Sequence, residues 1–184
     1  QERKSAMLLV KDGVAISCAR AIQTSPRPDM NSKVMRYTVD MNEIRTMEFI
    51  GMVFHGRSIT HIDSPAHFFV KGKTYNNFPA EGAEFCDAEV LKNGIVTRGV
   101  LLNIPKKSIS ISDLESAEKR SGVRIGSGDV LLIRTGCKEP GLGTRIAPWL
   151  KRRKVAVIGS DTSNNTPLFH VVCLVRMGLW ILDN

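Results

Sequence analysis

The clustering of apolar positions along the chain predicts a β-rich protein whose helices come late. Short apolar runs at 7–10, 14–19, 35–39, 47–54, 99–104, 130–134, 155–158 and 179–182 read as strands. Several are continuous rather than alternating, the pattern of strands covered on both faces. Three helices are expected. Ser112, Asp113, Leu114 and Glu115 spell a capping box, and Gly122 closes that helix behind Lys119 and Arg120. A second spans 147–153, with Pro148 in its first turn and Trp149 and Leu150 facing inward. A third starts with Thr166 as its cap and Pro167 as its first residue. It repeats Phe169, Val172, Cys173 and Met177 at helical spacing and ends at Gly178. The strand, helix, strand order from 155 to 182 predicts an α/β layer on a mixed sheet.

Length and composition narrow the class. With 184 residues, 42% of them hydrophobic and 24% charged, the chain is expected to form one domain over residues 1–184 and needs no disulfide staples. Its net charge of +8 admits an anionic partner, but the only dense basic run, Lys151 to Lys154, sits at a helix end where cations meet the dipole. Aromatic residues are 6% and are not interleaved with basic ones, so nucleic acid is not an expected partner. No apolar run approaches the roughly 18 residues of a membrane span. Cys18, Cys86, Cys137 and Cys173 have no metal-type spacing and read as reduced packing residues. A cytoplasmic protein without membrane contact is expected.

Candidate chemistry concentrates in one segment. Three of the four histidines, His55, His61 and His67, lie close together in sequence, and His170 lies far downstream. In a strand, His61 and Asp63 project from the same face, bringing an imidazole and a carboxylate to one point. Pro65 then turns the chain and can return His67 to that point. An imidazole with a carboxylate suits a divalent first-row metal, and a further histidine suits proton transfer. His55 lies about 20 Å from His61 if the chain between them is extended, so a shared ion requires a bend, for which Gly56 is the natural place. Asp161, after the run at 155–158, reads as an ordinary turn residue. No serine or cysteine has a nucleophile-elbow context.

The segment Thr60-His61-Ile62-Asp63-Ser64-Pro65-Ala66-His67-Phe68 resembles the signature H-x-G-T-H-x-D-x-P-x-H-F of the cyclase family that includes bacterial kynurenine formamidase and isatin hydrolase. The likeness extends through the run 128–136, the Pro148-Trp149-Leu150 helix, residues 158–161 and the closing His170 helix. It implies a swivelling β/β/α fold with a mixed sheet and flanking helices, assembled as a homodimer or homotetramer. It also implies a hydrolase of amide or lactam bonds that uses zinc or manganese on a small-molecule substrate. Residue by residue, His61 and Asp63 match metal ligands, with His55 a further candidate, while His67 matches the proton shuttle and His170 a later histidine of the site. Asp183 falls near a position where members carry glutamate. The family's first histidine position is held by Arg57 and its glycine by Ile59. A guanidinium at residue 57 suggests an alternative, a metal-free binding protein or a cyclase or dehydratase in which Arg57 supplies the positive charge.

Overall fold

The apolar runs in the second half of the chain lie side by side in the computed structural model, which describes residues 2–22, 34–56, 59–137, 139, 141–162, 164 and 166–183. In chain order the main elements are α1 (Glu2–Met7), β1 (Val34–Met41), β2 (Thr46–Met52), β3 (His61–Asp63), β4 (Gly99–Asn103), α2 (Ile111–Ser121), β5 (Val130–Arg134), α3 (Ala147–Arg153), β6 (Val157–Ser160), α4 (Pro167–His170) and β7 (Trp180–Asp183). Beyond α4 the helix widens to π geometry over Val171–Met177. It closes on Gly178, which adopts a left-handed φ of 65°. A Cβ there would also meet the Tyr75 ring at 2.6 Å, so glycine meets two demands at once.

Five strands form one mixed sheet in the order β3-β7-β6-β5-β4. The last four run parallel, and β3 pairs antiparallel with β7 at one edge. Because side chains alternate across a strand, Val100, Leu102, Leu131, Ile133, Ile158 and Ile181 share the face that meets the helices. There they form a buried cluster with Leu114, Trp149, Leu150, Phe169, Cys173 and Leu174. Each such fully buried aliphatic side chain contributes about 1.5–3 kcal/mol through removal from water. Register carries this face to the sheet edge, where Ile181 lies opposite Asp63 and Asp183 opposite His61. The apolar row therefore ends in three polar side chains.

Several expectations are corrected. Residues 7–10 form no strand, since helix α1 ends at Met7 and turns follow. Residues 14–19 form none either, because β-prone side chains do not make a strand without a partner to bond. The capping box starts at Ser110, not Ser112. Its hydroxyl takes the Asp113 amide at 3.3 Å, and the Asp113 carboxylate takes the Ser110 amide at 2.9 Å. Two overlapping serine and acid pairs were available. The first is selected because Ile109 and Leu114 then flank the cap and are both buried, a hydrophobic staple. Strand β6 begins at Val157 rather than residue 155, because the Val155 amide still bonds Leu150 and closes α3. The 147–153 helix and the Thr166 and Pro167 helix start stand where the pattern put them.

The early runs give an antiparallel hairpin, β1 with β2. It is amphipathic. Tyr37 stacks on Phe49 at 5.0 Å between ring centres, with Met35 beside them, while Arg36 bonds Glu48 on the other face. Met35, Tyr37, Val39 and Phe49 are all exposed.

Candidate metal centre

The site is built around Asp63, the last residue of β3, whose carboxylate is 1% exposed. A buried carboxylate needs donors or a cation. Its Oδ2 receives His170 Nε2 at 3.2 Å. Its Oδ1 is buried and has no hydrogen-bond partner among the described residues. Around that bare oxygen stand three imidazole nitrogens: His55 Nε2 at 3.5 Å, His61 Nε2 at 3.5 Å and His67 Nε2 at 3.8 Å.

Each histidine arrives by a different local device. His61 is placed by β3 itself, and its Nδ1–H donates to the Ile59 carbonyl at 2.7 Å. A neutral imidazole with a proton on Nδ1 has only a lone pair on Nε2. With Nδ1–H given to Ile59, Nε2 is the ring atom of His61 that faces Asp63 Oδ1. His67 returns through the turn at Ser64 and Pro65, closed by its amide on the Ser64 carbonyl at 2.9 Å. The buried Thr74 hydroxyl pins the Pro65 carbonyl from behind at 2.5 Å. His55 is delivered by the bend at Gly56, whose φ is 127°. It stacks on His67 at 3.8 Å and lies 5.3 Å from the His61 ring. His170, the last residue of α4, donates Nδ1–H to the Thr166 carbonyl at 3.1 Å and lies 3.9 Å from Asp183 Oδ2.

Electrostatics sort the groups by state. Burial pushes His55 and His67 down, with the Asp63 charge only partly opposing it, so both are neutral at pH 7. Burial also penalises charge on His170 and Asp63, but there it loses. The Asp63 hydrogen bond, the Thr166 carbonyl and the two nearby carboxylates hold His170 above its ordinary value. Asp63 is held below the usual carboxylate range by the His170 bond and the neighbouring imidazoles. Bonded to a carbonyl and a carboxylate, neither able to donate, His170 carries both ring protons.

The donor set fits a divalent ion. Ligand bonds of 2.0–2.1 Å in tetrahedral geometry put ligand atoms about 3.3–3.4 Å apart. The spacings around Asp63 Oδ1 are close to that, and the bare oxygen is the feature an ion resolves. Two overlapping triads have ligand atoms within 4.8 Å of one another: His55, Asp63 and His67, and His61, Asp63 and Asp183. Four of the six candidate residues, His55, His61, His67 and His170, therefore surround the carboxylate of a fifth, Asp63. Arg57 lies outside the described residues. Asp183 joins the set through its pairing with His61 across β3 and β7. Asn164 was not signalled by any motif, yet its amide bonds Asp183. Asp161 is exposed, and its carboxylate is spent on the fold, accepting the Thr135 and Gly136 amides at 2.7 and 2.9 Å.

The histidines line an open cavity of about 440 Å³ together with Phe68 and Phe69. No described helix is long and apolar enough to cross a membrane.

Comparison with known proteins bears on the same region. A structure described as a novel cyclase superposes with a TM-score of 0.79 at 20% identity, covering 98% of this chain and 78% of that one. Isatin hydrolase A from Ralstonia solanacearum gives 0.58 at 15% identity, covering 89% and 76%. A structure described as a predicted metal-dependent hydrolase from Bacillus stearothermophilus gives 0.52 at 20% identity, covering 82% and 70%. These likenesses establish the α/β cyclase fold that the resemblance implied. No curated protein matches the chain. The model of the family described as "Putative cyclase" matches residues 9–165. That match takes in β3, the histidine segment and the parallel strands up to β6, and on it this chain belongs to the cyclase family.

Proposed function

We propose that the protein is a metal-dependent hydrolase that opens the C–N bond of a small cyclic or aryl amide. The observation that carries this reading is the bare Asp63 Oδ1, ringed by three imidazole nitrogens and hydrogen-bonded to none of them. His61, Asp63 and His55 would hold zinc or manganese, with Asp183 a further carboxylate within reach of the same ion. When bound, such an ion supplies Lewis acidity, polarising a carbonyl and making water nucleophilic near neutral pH.

The chain's own groups do the rest. His170 grips Asp63 Oδ2 and so keeps Oδ1 turned towards the imidazoles. His67, neutral and partly exposed, takes a proton from the attacking water and passes it to the leaving nitrogen. Phe68 and Phe69 line the cavity and offer apolar contact to a ring, and Phe68 is itself held by stacking on His170 at 4.8 Å. Small apolar substrates with a few polar groups suit such a cavity. The names of the structural relatives support the same class: one is an isatin hydrolase bound to a product analogue, thioisatinate. A homodimer or homotetramer is part of the proposal, supported by the exposed apolar face of the hairpin among the described residues.

The test is zinc or manganese titration into metal-free protein against a competing chelator, followed by turnover on a panel of arylformamides and lactams. Stoichiometric binding with hydrolysis of at least one amide is expected. Binding below about a tenth of an equivalent, where preformed ligands should bind tightly, overturns the reading. So does a loaded protein inert to the whole panel.

A further inference from the structure

We infer that Asn164 is a positioning residue that fixes Asp183 in the metal site, a role that rests on the proposed metal-dependent reading. Asn164 is 0% exposed and lies in the connection between β6 and α4. Its backbone N–H donates to Asp183 Oδ1 at 3.1 Å. Its carbonyl accepts the Thr166 amide at 2.6 Å, and Thr166 is the residue whose own carbonyl orients His170. One backbone unit therefore touches both the carboxylate of the second triad and the support of the histidine that grips Asp63.

The side chain holds that unit in place. Asn164 Oδ1 accepts the Ser160 hydroxyl at 3.0 Å and the Leu142 amide at 3.3 Å, tying the connection to the end of β6 and to the loop before α3. The Leu142 amide can only donate, so it settles which end of the Asn164 amide group is oxygen. The other end, Nδ2, is buried with no partner among the described residues. An unmade buried donor is unfavourable. The side chain is thus not optimised for stability, whereas its oxygen is placed where it anchors the loop. Without this anchor the backbone N–H that meets Asp183 has no side-chain restraint.

Partners behind metal ligands commonly change metal affinity by 10–100-fold when removed. The probe is zinc alone, measured by chelator competition on metal-free protein, in the parent, Asn164→Ala, Asp183→Ala and the double variant. Asn164→Ala should weaken zinc by about 10–100-fold in the parent. In the Asp183→Ala background the loss should shrink to the smaller part that passes through Thr166 to His170, because the residue acts mainly through Asp183. General loosening predicts instead the same loss in both backgrounds. Ser160→Ala, which removes a hydroxyl shared between the same oxygen and the Thr162 carbonyl, should give a smaller loss with the same dependence on Asp183, and serves if Asn164→Ala does not fold. Equal zinc affinity in parent and variants overturns the positioning role alone. A parent that binds no zinc overturns the metal-dependent reading and this role with it.

Discussion

His170 Nε2 lies 3.2 Å from Asp63 Oδ2, joining residues 107 apart in the chain across the edge of the sheet. Both side chains are almost wholly buried, at 3% and 1% exposure. Removing one member of such a pair strands the other's charge, which typically costs about 3–5 kcal/mol. Metal-free His170→Ala should lose about that much in urea unfolding. Its double variant with Asp63→Ala should be less destabilised than the sum of the two singles. A loss below about 1 kcal/mol in the single variant means the pair does not hold the site together.

His67 should serve chemistry rather than the fold. Its side chain is 29% exposed, and its backbone bond to Ser64 does not depend on the imidazole. His67→Ala should cut amide turnover by about 10²–10⁴-fold. Stability should change by about 1 kcal/mol or less. Early unfolding, or full activity, makes it a structural histidine.

Gly56 tests how His55 reaches the site. A Cβ there meets nothing within 4 Å, so any penalty in Gly56→Ala comes from the φ of 127° alone. Held in place, that strain is worth about 1–3 kcal/mol. The chain is expected to relax by releasing His55, dropping zinc affinity to the level of His55→Ala while the melting temperature hardly moves. Affinity equal to the parent shows that the bend survives without glycine.

Asp161 sets an acid limit away from the metal. Burial opposes its ionisation, but the Thr135 and Gly136 amides and the Thr135 hydroxyl hold it below the usual carboxylate range. A depressed folded pKa contributes stability above the unfolded value of about 3.9, and that contribution fades as pH falls through the folded pKa. The melting-temperature gap between the parent and Asp161→Asn should therefore be full near pH 6 and narrow towards pH 3. A gap that stays constant across that range rules out the carboxylate as its source.

The hairpin predicts assembly. An isolated two-stranded ribbon is marginal in water, and the exposed Tyr37 and Phe49 pair leaves its apolar face uncovered. Tyr37→Glu with Phe49→Glu should shift the protein to monomer in sedimentation while zinc binding persists. A parent that is already monomeric removes the oligomer from the proposal.

Much of the fold was legible because it rests on local patterns. The apolar runs of β4 and β5, Pro148 and Pro167 in the first turns of α3 and α4, and the glycines after α2 and the last helix all act within a few residues of themselves. So does the shared face of His61 and Asp63, which follows from the period of a strand. Where two local patterns competed, as at Ser110 and Ser112, only the burial of Ile109 and Leu114 chose between them. The site is different in kind. That Asp63 Oδ2 is taken by His170 while Oδ1 is left bare depends on a helix arriving from a hundred residues away. Asp183 joins because antiparallel register sets it opposite His61, and Asn164 matters through one backbone N–H. Hydrogen bonds of this sort have no sequence period, because they are fixed by how the sheet edge, the helix start and a connecting loop pack in space.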